Sequence, residues 1–165
     1  MSNNDDLRQE LELLKQRVAE LEQAEMAQYH LAALVASADD AIISKTLDGT
    51  IQTWNEGAQK ILGYAAHEII GKPIFTLIPP ERHEEEHEIL RKIRRGERVS
   101  HFDTVRITKD CRRVDVSLTI SPIKDRKGRI VGASKILRDV TDRKKAEQER
   151  LASSGSMCGR FNPRP

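Results

Sequence analysis

The segment HEEEH, residues 83–87, sets two imidazoles four residues apart, about one helical turn, with a glutamate directly after the first. That is the spacing of a zinc-dependent hydrolase, in which His83 and His87 would ligate the metal and Glu84 would act as base. Two features oppose it. Glu85 and Glu86 are charged where such helices are apolar and buried, and no third ligand follows in a recognisable context. The segment reads as a solvated, charged helix face, so neither zinc catalysis nor any other metal site is expected.

Cys111 and Cys158 are the only cysteines, far apart and without CxxC spacing, so neither a disulfide framework nor a thiolate zinc site is expected. His30 and His67 lie in polar helical contexts. His101 lies in a strand beside Phe102, and alternation turns one of the two towards the interior.

Acids and bases nearly cancel, leaving a net charge of +2, and no basic face is interleaved with aromatics, so nucleic acid is not an expected partner. Apolar runs fall far short of the roughly 20 residues that span a bilayer. With no signal peptide and no direct membrane contact, a cytoplasmic location is expected.

The elements that would position these residues begin with a heptad seam. Leu7, Leu11, Leu14, Val18 and Leu21 recur at spacings of four and three among charged residues, which predicts a coiled-coil helix and a homodimer. That helix is expected to run on, with Leu31, Leu34 and Val35 shifting onto the globular part. From Ala41, AIISKT and TIQTWN flank Asp48-Gly49 as a hairpin. Short helices ending at Gly63 and Gly71 follow, then a longer helix after Pro79-Pro80 that closes at Gly96. Three strand patterns follow, in VSHFDTVRI, RRVDVSLTISPI and RIVGASKILRDV; in the second, Val114, Val116, Leu118 and Ile120 alternate with polar residues. The expected fold class is α+β, a five-stranded antiparallel sheet with short helices on one face, preceded by the coiled-coil helix.

In order and motif, DGTIQTWNEGAQKILGY, EIIGKPIFTLIPP, RRVDVSLTISPIKD and GASKILRDVTDRKKAE resemble a PAS domain of the bacterial signalling type, over roughly residues 30–145. The resemblance implies a module that is not an enzyme. It would detect a signal through its pocket or dimer interface and relay it through a C-terminal helix. The receiver would be a covalently linked effector, a histidine kinase of a two-component system or a cyclic-dinucleotide enzyme. The alternative is a ligand-free dimerisation or protein-interaction module; a haem gas or redox sensor and the zinc hydrolase rank below both.

On this reading residues 1–29 form the coiled-coil helix, 30–142 the PAS domain, 143–151 the start of the output helix and 152–165 a flexible tail or an added junction. The tail motif MCGRF resembles the start of the SRAP peptidases, but their nucleophilic Cys is N-terminal and Cys158 is internal. The implied pocket for a small-molecule ligand is lined by Trp54, Phe75, Leu90, Phe102, Val116, Leu118 and Ile136, with Trp54 chiefly a filler between sheet and helices. The implied relay is Asp139 and Thr141, the threonine hydroxyl capping the output helix.

Position in the motifs separates the cofactor classes. The reactive cysteine of flavin photoreceptors falls on Pro73-Ile74-Phe75, which excludes thiol adduct chemistry. The axial histidine of haem-binding members falls on Glu86, with His87 one residue on and turned about 100 degrees away, so no haem is expected, although a one-residue slip would restore His87. Where the family usually has Lys-Asp-Gly, this chain has Lys109-Asp110-Cys111. The turn is therefore expected to be strained or reshaped around an exposed, inert thiol.

Overall fold

The computed structural model describes residues 2–155, which leaves Cys158 and the MCGRF motif outside the described residues. The chain divides into two units, residues 1–37 and 38–165.

The first is one helix, α1 (Ser2–Ser37), 36 residues long. Leu7, Leu11, Leu14, Val18 and Leu21 are all exposed along it, and so are Leu31, Leu34 and Val35.

The second unit contains β1 (Ala41–Thr46), β2 (Ile51–Trp54), α2 (Glu56–Leu62), α3 (Ala66–Ile69), α4 (His83–Arg94), β3 (Val99–Ile107), β4 (Arg113–Lys124), β5 (Ile130–Asp139) and α5 (Thr141–Gly155). Short 3-10 turns over Ile74–Leu77 and Pro80–Arg82 lead into α4. The strands form one antiparallel sheet in the order β2-β1-β5-β4-β3, so the first and last thirds of the domain meet at its centre. Helix α5 begins at Thr141 and continues through Gly155, past residue 151, where the tail was expected to begin.

Period-two alternation decides the buried face. Val114, Val116, Leu118 and Ile120 of β4 point inward, beside Ala41 and Ile43 of β1 and Ala133 and Leu137 of β5. Gly132 is required where β5 runs close to β1, because a Cβ there would lie 2.5 Å from the Lys45 carbonyl oxygen.

The hinge at Trp54-Asn55 joins sheet to helices. Trp54 is buried and donates Nε1–H to the Tyr64 carbonyl at 2.8 Å, which satisfies its polar edge inside the core. Asn55 caps α2: its Oδ1 accepts from the backbone of Ala58 at 2.9 Å and of Ile42 at 2.8 Å, and its amide donates to Asp40 O at 3.1 Å. One side chain thus locks β1, the chain before it and the first cradle helix.

Candidate functional site

The inward positions continuing the alternation are not all apolar. On β1 the series Ala41, Ile43 ends in Lys45; on β5 Lys135 stands between Ala133 and Leu137; on β3 Arg106 points in beside Thr104. All three cations are at most 1% exposed. Facing them from α4 is Glu86, fully buried because it completes the helix stripe with Ile89, Leu90 and Ile93 at spacings of three, four and seven.

Glu86 joins two adjacent strands. One carboxylate oxygen is paired with Lys45 Nζ, and the other lies 3.0 Å from Lys135 Nζ. Next to them, Arg106 Nη1 donates to Val105 O at 2.8 Å and Thr104 Oγ1 at 3.3 Å, and sits 3.8 Å from Glu85. Thr104 donates to the same Glu85 oxygen at 2.6 Å, while Arg82 holds the other at 2.5 Å. Arg106 Nη2, also buried, has no hydrogen-bond partner among the described residues.

Removal from water destabilises the charged form of each cation, and their mutual repulsion adds to this. Burial, then the nearby Lys135 and Arg106, lowers the Lys45 ammonium to about 5. Burial and Arg106 push Lys135 well below its ordinary range, and burial lowers Arg106 to about 10 against the raising effect of Glu85. The interior between sheet and α4 is therefore filled by an ion cluster whose protonation depends on its neighbours.

The residues expected to line a pocket separate into three places. Trp54, Val116 and Leu118 belong to the packed core, and Phe102 packs against its edge. Phe75 and Leu90 come together in an open cleft of about 440 Å³, with Leu47, Asp48, His87, Arg91 and Arg94. The Phe75 ring stands 5.0 Å from His83 and 5.2 Å from His87. Ile136 does not belong to either. It is 42% exposed on the opposite sheet face, because β5 turns Lys135 inward and its hydrophobic neighbour out.

The helix face over HEEEH is likewise not wholly solvated: His87 and Glu84 are exposed, Glu86 is buried and His83 Nε2 lies 3.1 Å from Ile78 O. Among the described residues no group of three or more His, Cys, Asp or Glu is placed to hold a metal. Cys111 adopts a left-handed φ of 62° and His101, at a bulge in β3, one of 52°.

The junction at the end of β5 differs from the expected cap. The Thr141 backbone donates to Asp139 Oδ1 at 2.9 Å, whereas the Thr141 hydroxyl is buried without a partner. The cause is position: Thr141 is already the first helical residue, so its hydroxyl is past the capping site. The start of α5 is tied to the sheet by Val140 N to Asp115 O at 2.9 Å, Lys144 to Asp115 at 3.2 Å and Arg143 to Asp103 at 3.5 Å.

A family model described as the PAS fold matches residues 29–140. The chain belongs to the PAS family. This PAS chain is 29% identical over 129 residues to the signal transduction histidine-protein kinase AtoS of Escherichia coli, covering 75% of the chain and 21% of the kinase. It is 32% identical over 146 residues to Two-component system protein A of Emericella nidulans, covering 87% of the chain and again 21% of the relative. It therefore spans about a fifth of the length of both, and both are signalling proteins by name. A solved PAS domain from Colwellia psychrerythraea matches with a TM-score of 0.64 and 26% identity, over 70% of this chain and 98% of that one. PAS domains are generally sensory rather than catalytic, and among the described residues no helix is long and apolar enough to cross a membrane.

Lys45, Glu86, Lys135 and Arg106 are the residues of this PAS core that motif reading misses. Their signal was available in periodicity: Glu86 falls on the apolar stripe of α4, and each cation falls on the inward phase of its strand.

Proposed function

We propose that this PAS domain is the sensory module of a larger signalling protein, a homodimer through α1 that reads a signal at its core and relays it to a covalently linked effector of the histidine kinase or cyclic-dinucleotide class. The observation that carries the reading is the course of β5. Lys135, held by Glu86, lies four positions before Asp139, whose carboxylate accepts from the first residue of α5. A change in the ion cluster therefore acts on the strand that ends at the output helix. Such a relay needs two arrangements of β5 with different helix geometry, between which a signal shifts the population.

The test fuses a dimeric kinase output after Leu151. Lys135→Met cuts the tie to β5 while Glu86 keeps Lys45, and it should change basal autophosphorylation. Adding Asp139→Ala should abolish that change. Basal activity unaffected by Lys135→Met in folded protein would remove the core from the relay.

A further inference from the structure

The sheet face opposite the ion cluster carries an open cleft of about 270 Å³, into which β3, β4 and β5 all project polar side chains. It is built around the bulge in β3. Val99 pairs with Ile120 and Phe102 with Leu118, so two residues, Ser100 and His101, stand against Thr119 alone. The extra residue leaves His101 at φ 52°, a left-handed conformation that glycine adopts freely and an L side chain resists. Packing does not require a histidine there, because His101 is exposed and has no hydrogen-bond partner among the described residues. What the bulge achieves is to set the imidazole in the wall of the cleft.

Other donors join it from both sides. Arg98, just before β3, is exposed and unpaired among the described residues. Ser117 and Thr119 lie two positions apart on the outward phase of β4, and neither hydroxyl is hydrogen-bonded among the described residues. Arg138 of β5 donates Nε–H and Nη2–H to Asp40 at 3.2 and 2.8 Å, which engages the one carboxylate lining the cleft and leaves Nη1 unused. The acid alongside, Asp103, is held by Arg143 at 3.5 Å. Two guanidinium groups, an imidazole and two hydroxyls thus surround a cleft whose only acceptor of like strength is already taken. A carboxylate presents two oxygens in one plane. A phosphoryl group presents three in a tetrahedron, which matches donors arriving from three strands and suits the arginine fork.

We infer that this cleft binds the phosphoryl group of a phosphate monoester, with Arg98 and Arg138 on its charge, Ser117 and Thr119 beneath it and His101 donating from the side. The site lies on the other face of the sheet from the ion cluster and stands independently of the reading proposed above. Arg138 directly precedes Asp139, whose carboxylate accepts from the Thr141 backbone, so an occupied cleft acts on the residue next to the start of α5.

The probe is methyl phosphate, titrated into the isotopically labelled full chain and followed by amide shifts. Saturable binding with a Kd of about 1 mM or tighter is expected, with shifts centred on Arg98, His101, Ser117, Thr119 and Arg138. Acetate should bind at least about tenfold more weakly, and Arg98→Gln should weaken methyl phosphate by at least about tenfold. His101→Gly separates binding from folding: it relieves the backbone, so the melting temperature should hold or rise while affinity falls. A phosphoserine tripeptide in the same titration distinguishes the sources of the group. Tighter binding than methyl phosphate assigns it to a protein side chain, and equal or weaker binding to a free small ester. Absence of saturable binding by the unaltered chain, equal affinity for acetate, shifts centred elsewhere, or undiminished affinity in both variants overturns the inference.

Discussion

Glu86 on α4 stands 3.0 Å from Lys135 on β5, and both side chains are closed off from solvent. With Lys45 on its other oxygen, this is the only buried acidic side chain beside the two buried lysines within the described core. Removing it takes the buried carboxylate away from two desolvated lysines, so Glu86→Gln should cost about 1–3 kcal/mol of unfolding free energy in urea melts. Replacing the whole set, with Glu86→Leu, Lys45→Met and Lys135→Met together, should be neutral or stabilising, because no desolvated ionisable group remains there. A loss below about 1 kcal/mol for Glu86→Gln would show that the cluster is more solvated than its burial indicates.

The same burial makes stability depend on pH with a definite sign. Lys45 is lowered to about 5 from an ordinary 10.5, so between those values the unfolded chain binds more protons than the folded one. Stability therefore rises with pH through that window, by at most about 1.4 kcal/mol per unit from each such group, and is lost on acidification. Lys135 is shifted in the same direction. The lowered carboxylates Glu68, Glu81 and Asp125 titrate below their ordinary values of 4.5, 4.5 and 3.8, outside this window. Melting temperatures followed by calorimetry should climb with pH in the unaltered chain and climb less steeply in Lys45→Met. Parallel curves would assign the slope to other groups.

Sheet, hairpin and cradle were legible because alternation, the Asp48-Gly49 turn and the glycine stops all agree. The charged core was not, and the reason is specific. Assigning apolar residues inward along ASKIL selects Ile136, yet Ala133 and Leu137 set the phase, and that phase requires Lys135 inside. On α4 the three consecutive glutamates suggest a solvated face, although only Glu86 sits on the stripe of Ile89 and Ile93. Each misreading favoured residue type over phase. A lysine and a glutamate became tolerable inside only because each found the other, a long-range pairing over 49 positions that no local pattern reports.

The junction yields a prediction opposite for its two polar residues. Asp139 caps the chain at Thr141, so Asp139→Ala should cost about 1 kcal/mol of local helix stability, seen as faster amide exchange at the start of α5. The Thr141 hydroxyl is buried and unpartnered, so Thr141→Val should be neutral or gain up to about 1 kcal/mol. Comparable destabilisation by both would mean that the hydroxyl is paired in solution.

Cys111 sits at φ 62° in the β3–β4 turn, where its backbone N–H closes on Thr108 O at 3.0 Å. Glycine adopts that conformation without the Cβ clash, and its extra freedom in the unfolded chain offsets part of the gain. Cys111→Gly should stabilise the domain by about 1 kcal/mol, whereas Cys111→Val should destabilise it. An exposed thiol contributes little packing of its own, so a loss of stability on glycine substitution would point to a role for the sulfur.

The last prediction concerns α1. Leu7, Leu11, Leu14, Val18 and Leu21 form a two-in-seven stripe, and each is more than half exposed in the single chain. A helix of 36 residues with its apolar stripe in water gains little from its own sequence, and a second copy offers the complementary surface. Burying an exposed leucine stabilises by roughly 1.5–3 kcal/mol, so replacing two of the five with charges should outweigh ordinary coiled-coil affinity. Leu14→Asp with Leu21→Asp should therefore convert a dimer to a monomer in light scattering, while the spectroscopic signature of the folded sheet persists. Because autophosphorylation in trans needs two kinase copies in one assembly, the same variant in the kinase fusion should also lose it. An unchanged dimer would place the interface on another surface, with the exposed sheet face around Ile136 the next to be tested by Ile136→Asp.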